Sequence, residues 1–140
     1  MAKFGMWRNG FLEIAGVDMS DHCTEFSVQE KEVELPNDAH GDFVACVTPG
    51  MEEWTLQAKF LQDFASTSIH FTLRNAKQNR LPVSMRYRAD KGITSALNPM
   101  YSGSAYVTAY TGFQGKHADN MLADATLRPA IGTPLVEYLT

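Results

Sequence analysis

The side chains able to do chemistry are few and badly spaced for it. The four histidines, His22, His40, His70 and His117, stand far apart, and none lies three or four residues from another His or a Cys. Local zinc motifs need paired ligands at short range, so this spacing excludes them. Cys23 and Cys46 could be nucleophiles only beside a distant His, and no flanking signature supports such a pair. They make no disulfide framework; two reduced thiols is the simpler reading, with their pairing left open. Glu52 and Glu53 are adjacent, so on a strand they point to opposite sides, which is poor geometry for paired acid–base work. Asp18 and Asp21 lack the rest of a calcium-loop ladder. No glycine-rich phosphate loop or G-x-S-x-G elbow occurs, and Gly112-Phe113-Gln114-Gly115 is too sparse to cradle a phosphate. The expectation is a protein that is not an enzyme, with no catalytic, cofactor-binding or metal-binding residues. By simple alternation Tyr106 and Tyr110 share one strand face, where packing at an interface is a better use for them than stacking on bases.

The acids are more informative. Glu30, Glu32 and Glu34 alternate and so share a face with Phe26 and Val28 of the same strand. A strand that loses its apolar side midway leaves the body of its domain or crosses an interface; a solvated strand end is the alternative. The chain has 140 residues, 44% hydrophobic and 20% charged, with a net charge of −4. That suits one globular domain over 1–140 and argues against disorder. The charge argues against a nucleic-acid coat or a binder of anionic membranes. No apolar run is long enough to span a bilayer, and the N-terminus lacks the apolar core of a secretory signal. The net charge also hides a division. Residues 25–53 hold eight acids and one base, whereas residues 59–91 hold seven bases and two acids.

The elements that must position these residues are mostly strands. Asn9-Gly10 is a turn signal before a strand at Phe11–Ala15, and Gly16-Val17-Asp18 turns the chain towards one helical turn at Asp18–His22. A long strand follows from Thr24 to Leu35. Pro36 to Gly50 reads as a long loop containing the apolar patch Phe43–Val47, and loops of that length are usually functional or disordered. Trp54, Leu56, Ala58 and Phe60 alternate with polar residues, so this strand pairs with Thr24–Leu35 as a hairpin. Ser66 or Ser68 can cap a helix whose Ile69, Leu73 and Ala76 fall on one face. Strands are expected again at Val83–Ala89, Tyr101–Tyr110, Leu122–Arg128 and Leu135–Leu139. The fold class is mainly β: two packed antiparallel sheets, a β-sandwich or partly open barrel, flanked by one α-helix.

The order of these signals resembles a known family. Gly16-Val17-Asp18-Met19-Ser20-Asp21, then Pro49-Gly50-Met51-Glu52-Glu53-Trp54, the strand ending Gln62-Asp63-Phe64, Val83-Ser84-Met85-Arg86-Tyr87-Arg88, and Asn98-Pro99-Met100-Tyr101-Ser102-Gly103 follow one another as in the major tail tube proteins of long-tailed, non-contractile bacteriophages. The resemblance implies stacked hexameric rings in which each subunit adds a sheet to a continuous β-barrel, the channel through which the genome is delivered. It implies further copies of this chain as the main partner, with tape-measure, tail-terminator and tail-tip proteins beside them. Genomic DNA passes without specific binding, and no membrane is involved. The implied location is the virion tail, assembled in the bacterial cytoplasm. Glu30, Glu32 and Glu34 become candidates for lining the channel. Asp38, His40, Asp42, Phe43 and Val44 become candidates for ring stacking. The chain ends soon after its last strand, so the extra C-terminal immunoglobulin-like domain of some relatives is expected to be absent. Alternatives are a terminator or connector ring, the tube of a related injection machine, or a small-ligand β-barrel binder.

Overall fold

The computed structural model describes residues 10–41, 43–64, 68–89, 92, 94–95, 97–130, 132 and 134–139. Among these residues, eight strands and one helix follow in order: β1 (Phe11–Ile14), β2 (Val17–Asp18), β3 (Cys23–Pro36), β4 (Val47–Leu61), α1 (Ile69–Gln78), β5 (Val83–Arg88), β6 (Met100–Gln114), β7 (Leu122–Pro129) and β8 (Val136–Tyr138). Every pairing is antiparallel, in the order β2-β1-β5-β6-β7-β4-β3, with β8 on β6. The expected β architecture with a flanking helix is therefore present among the described residues, with hydrogen bonding continuous through one sheet where two layers were expected.

That sheet curls over itself. β3 and β5 are separated by β6, β7 and β4. In a flat sheet they would lie about 19 Å apart. The Phe26 ring of β3 instead meets Tyr87 of β5 edge-on, with centroids 6.1 Å apart. The concave side thus closes on its own core, as in a partly open barrel.

Alternation fills that core. Trp54, Leu56, Ala58 and Phe60 of β4 point inward beside Ala123, Ala125 and Leu127 of β7. Leu12, Ile14, Val83, Met85, Ala105 and Val107 continue the same face through β1, β5 and β6. Fully burying each large side chain contributes about 1.5–3 kcal/mol. Gly103 leaves room for the Trp54 indole, since a Cβ there would stand 3.2 Å from it.

Local chemistry sets the ends. Ala15 (φ 56°) and Gly16 (φ 80°) form the two-residue turn between β1 and β2, where both central residues need positive φ. Asp18 accepts from the Ser20 amide at 2.9 Å, and the Ser20 hydroxyl accepts from the Leu12 amide at 3.0 Å. That clamp folds the segment back so that Met19 is fully buried. Helix α1 buries Ile69, Leu73 and Ala76 as their spacing predicts, and His70 with them. Its cap residue is Ser68, whose side chain makes no capping bond, while the His70 amide donates to the Asp63 carbonyl at 3.2 Å; the alternative cap, Ser66, lies outside the described residues. The helix ends on Arg80 in the left-handed region (φ 52°), with the Leu81 amide bonded back to Ala76.

One expected face does not hold. β6 carries an extra residue between Val107 and Ala109 relative to β7. The bulge reverses the alternation, so Tyr106 faces outward opposite Arg128 while Tyr110 turns towards the core opposite Ala125.

Candidate functional site

The site of interest is the upper half of the β3–β4 hairpin. β4 pairs with β7 only from Leu56 to Leu61, whereas its residues from Val47 to Thr55 are bonded, among the described residues, to β3 alone. The hairpin therefore leaves the sheet as a two-stranded arm. The ladder runs to Pro36 opposite Val47, so the connecting loop is 37–46, shorter than periodicity suggested. An isolated two-stranded ribbon is marginal in water, and this one is exposed along nearly its whole length.

Its base is tied by charge. On the convex face Lys31 stands opposite Glu53 in register, with their charged groups 3.8 Å apart, and Arg128 of β7 reaches Glu53 from the other side at 3.8 Å. Farther out, β4 carries an extra residue at Gly50–Met51. A Cβ on Gly50 would lie 2.8 Å from the Val33 carbonyl oxygen, so the bulge needs glycine.

The sequence-derived acids lie where alternation put them. Glu30 pairs with Trp54, Glu32 with Glu52, and Glu34 with Pro49. All three are exposed and continue the face of Phe26 and Val28 beyond the core. Glu30 lines the cleft between β3 and the β5–β6 strands with Tyr87 and Tyr101, whose rings stack at 5.4 Å. Burial, and next the Glu30 charge, push the Tyr87 hydroxyl above its usual range. Glu32 and Glu34 stand on the free arm. Glu32 directly opposite Glu52 is a like-charge cross-strand pair, a destabilising arrangement in an isolated hairpin.

The loop is closed rather than loose. The Asn37 amide donates to the Cys46 carbonyl at 2.9 Å, and the Cys46 amide donates to the Asp38 carboxylate. Asp38 is thus a clamp within the loop. His40 lies in an exposed turn, and Asp42 lies outside the described residues. Phe43 is fully exposed, Val44 nearly so, and Leu35, Val47 and Met51 add apolar surface along the arm. Both thiols are free, with Cys46 exposed and Cys23 half-buried.

A second feature escaped the sequence. At the far end of β4, His70 sits in a ring cluster with Phe64 (4.9 Å between centroids), Phe71 (5.5 Å), Tyr110 (5.8 Å) and Phe113 (6.0 Å). The Tyr110 hydroxyl is 2.9 Å from both His70 Nδ1 and Gln62 Nε2. These residues come from three separate segments, the end of β4, α1 and β6, and no local spacing announces them. Among the described residues no group of three or more His, Cys, Asp or Glu could hold a metal ion, and no helix is long and apolar enough to cross a membrane.

The comparisons agree on the fold. No protein-family model matches the chain, and no curated protein matches it. Solved structures do. The tail tube of SPP1 superposes with a TM-score of 0.72 at 11% identity, covering 94% of this chain and 77% of that one. A chain of the PVC sheath–tube complex, an extracellular contractile injection system in its extended state, gives 0.67 at 12%, covering 99% and 93%. A chain of the virion of a native gene transfer agent particle gives 0.64 at 8%, covering 84% and 85%. The fold is a tail-tube fold.

Proposed function

We propose that this chain is a structural virion subunit that self-assembles into stacked hexameric rings, forming the tail tube through which a phage-type genome is delivered. The observation that carries the proposal is the projecting arm. The outer edge of β3 and the β7-side edge of β4 from Val47 to Thr55 have no strand partner among the described residues. Unpaired edges of this length are templates for further pairing. When β3 of one copy bonds to the β4 edge of the next, the contact is head-to-tail and closes into a ring. Six copies is the number that the sequence resemblance implies.

In such a ring the arms become the barrel wall. Glu30, Glu32 and Glu34 are proposed to face the channel, where they repel phosphates and keep the duplex from sticking. The loop at 37–46, led by Phe43 and Val44, is proposed to join one ring to the next. Tape-measure, terminator and tip proteins would meet the ends of the tube, and the chain would have no catalytic role.

Negative-stain microscopy of the purified protein at rising concentration tests the reading. Tubes or stackable rings are expected. Single rings that never stack favour a terminator or connector, and a persistent monomer overturns the proposal.

A further inference from the structure

The aromatic cluster around His70 has an outer surface. Phe64 is 44% exposed, Phe71 51%, Phe113 67% and the neighbouring Met121 43%. Phe113 is lifted outward where β6 carries a second bulge, between Thr111 and Gln114. Phe64 and Phe113 pack against each other at 5.5 Å, so these side chains make one patch rather than scattered exposures.

Its place in the fold suggests an occupant. The patch lies beyond Leu61, where β4 ends, and the Phe43–Val44 tip lies before Val47, where β4 begins. About 45 Å of extended strand separates them, so the two surfaces of one copy cannot meet. Two copies aligned along the strand axis bring the tip of one to the patch of the other, and that contact repeats without closing. The tip is acidic, with Glu34 and Asp38. The patch carries both signs: Arg74, close enough to Tyr110 to bear on its hydroxyl, and Lys116 in the turn after Phe113 stand with Asp119 in the same turn and with Asp63, which pairs with His22 at 3.3 Å. Helix α1 itself contains no acid. A patch of mixed sign favours this docking over a tip-to-tip contact, which would set acid against acid.

We infer that the Phe64–Phe71–Phe113 patch is the acceptor for the Phe43–Val44 tip of a second copy of this chain. The inference rests on the tube reading, and it adds the surface that receives the stacking loop.

Phe43→Asp and the double variant Phe71→Asp/Phe113→Asp separate the two ideas. All three side chains are at least half exposed, so unchanged circular dichroism and thermal midpoint are expected for both variants. Each variant alone should form rings that do not stack. Mixed, they should give stacks of two rings and no longer, because one variant keeps an intact tip and the other an intact patch. In a Cys23→Ser/Cys46→Ser background, Phe43→Cys with Phe113→Cys should give disulfide ladders between subunits on oxidation. Full-length tubes from the patch variant, or no ladder from assembled tubes, overturn the acceptor site and leave the tube reading standing. Failure of the unmodified protein to form rings overturns both.

Discussion

Trp54 lies over Gly103: a Cβ on that glycine would stand 3.2 Å from the indole and 2.9 Å from the Leu135 side chain. The two residues belong to β4 and β6, which are separated by β7, so their closeness marks the concave packing that lets one sheet behave as a core. Gly103→Val is expected to lower stability by about 1–3 kcal/mol through overpacking. Urea unfolding checks this, and an unchanged midpoint would show that the indole is free to move aside.

Gly50 tests the arm independently of the core. Gly50→Val places its side chain against the Val33 carbonyl and should distort the bulge. Because Gly50 lies outside the sheet body, the thermal midpoint should change by no more than the equivalent of about 1 kcal/mol. Assembly, followed by sedimentation, should fall sharply. Normal assembly would mean that the arm's geometry is not what joins the copies.

The proposed channel acids predict a gain of function when reversed. Tubes carrying Glu30→Lys, Glu32→Lys and Glu34→Lys should retain double-stranded DNA in co-sedimentation, with retention falling steeply as salt rises. Unmodified tubes should retain little. If the two preparations bind DNA equally, these three positions do not line the channel.

Burial, outweighing a backbone hydrogen bond with Glu25, pushes the Cys23 thiol up to about 11. At pH 8 its thiolate fraction is about 100-fold below that of a thiol at its ordinary value of 9.0. A thiol reagent should therefore label the exposed Cys46 first and Cys23 far more slowly. The raised value also has a stability sign: the neutral thiol suits the folded state, so its contribution is complete below pH 9 and is lost as pH rises through 11. The Tyr87 hydroxyl, also raised by burial, adds to the alkaline loss. Equal labelling rates for the two thiols would contradict the burial of Cys23.

Much of this was legible in the residue order, for definite reasons. Trp54 to Phe60 alternate because one side of β4 is buried, and Ile69, Leu73 and Ala76 mark the helix face because that face covers β6. The loss of the apolar face after Val28 correctly marked where β3 leaves the body. Bulges were not legible: one inserted residue near Thr108 turns Tyr110 inward, and nothing in the surrounding alternation announces it. The arm's true length was hidden on one side only: β3 runs to Pro36, one residue past the expected Leu35, whereas Val47 to Gly50, read as loop, are held by partner-strand hydrogen bonds, which leave no periodicity. The patch around His70 needed the fold, because its rings meet only after β4, α1 and β6 come together.

The central claim is that the β3–β4 arm joins copies into a ring. A cryo-electron microscopy map of the assembled particle, viewed down its axis, tests it most directly. The account predicts a closed barrel in which the outer edge of β3 is hydrogen-bonded to residues 47–55 of the neighbouring copy. Rings whose arms project freely, with both edges unpaired, would contradict it.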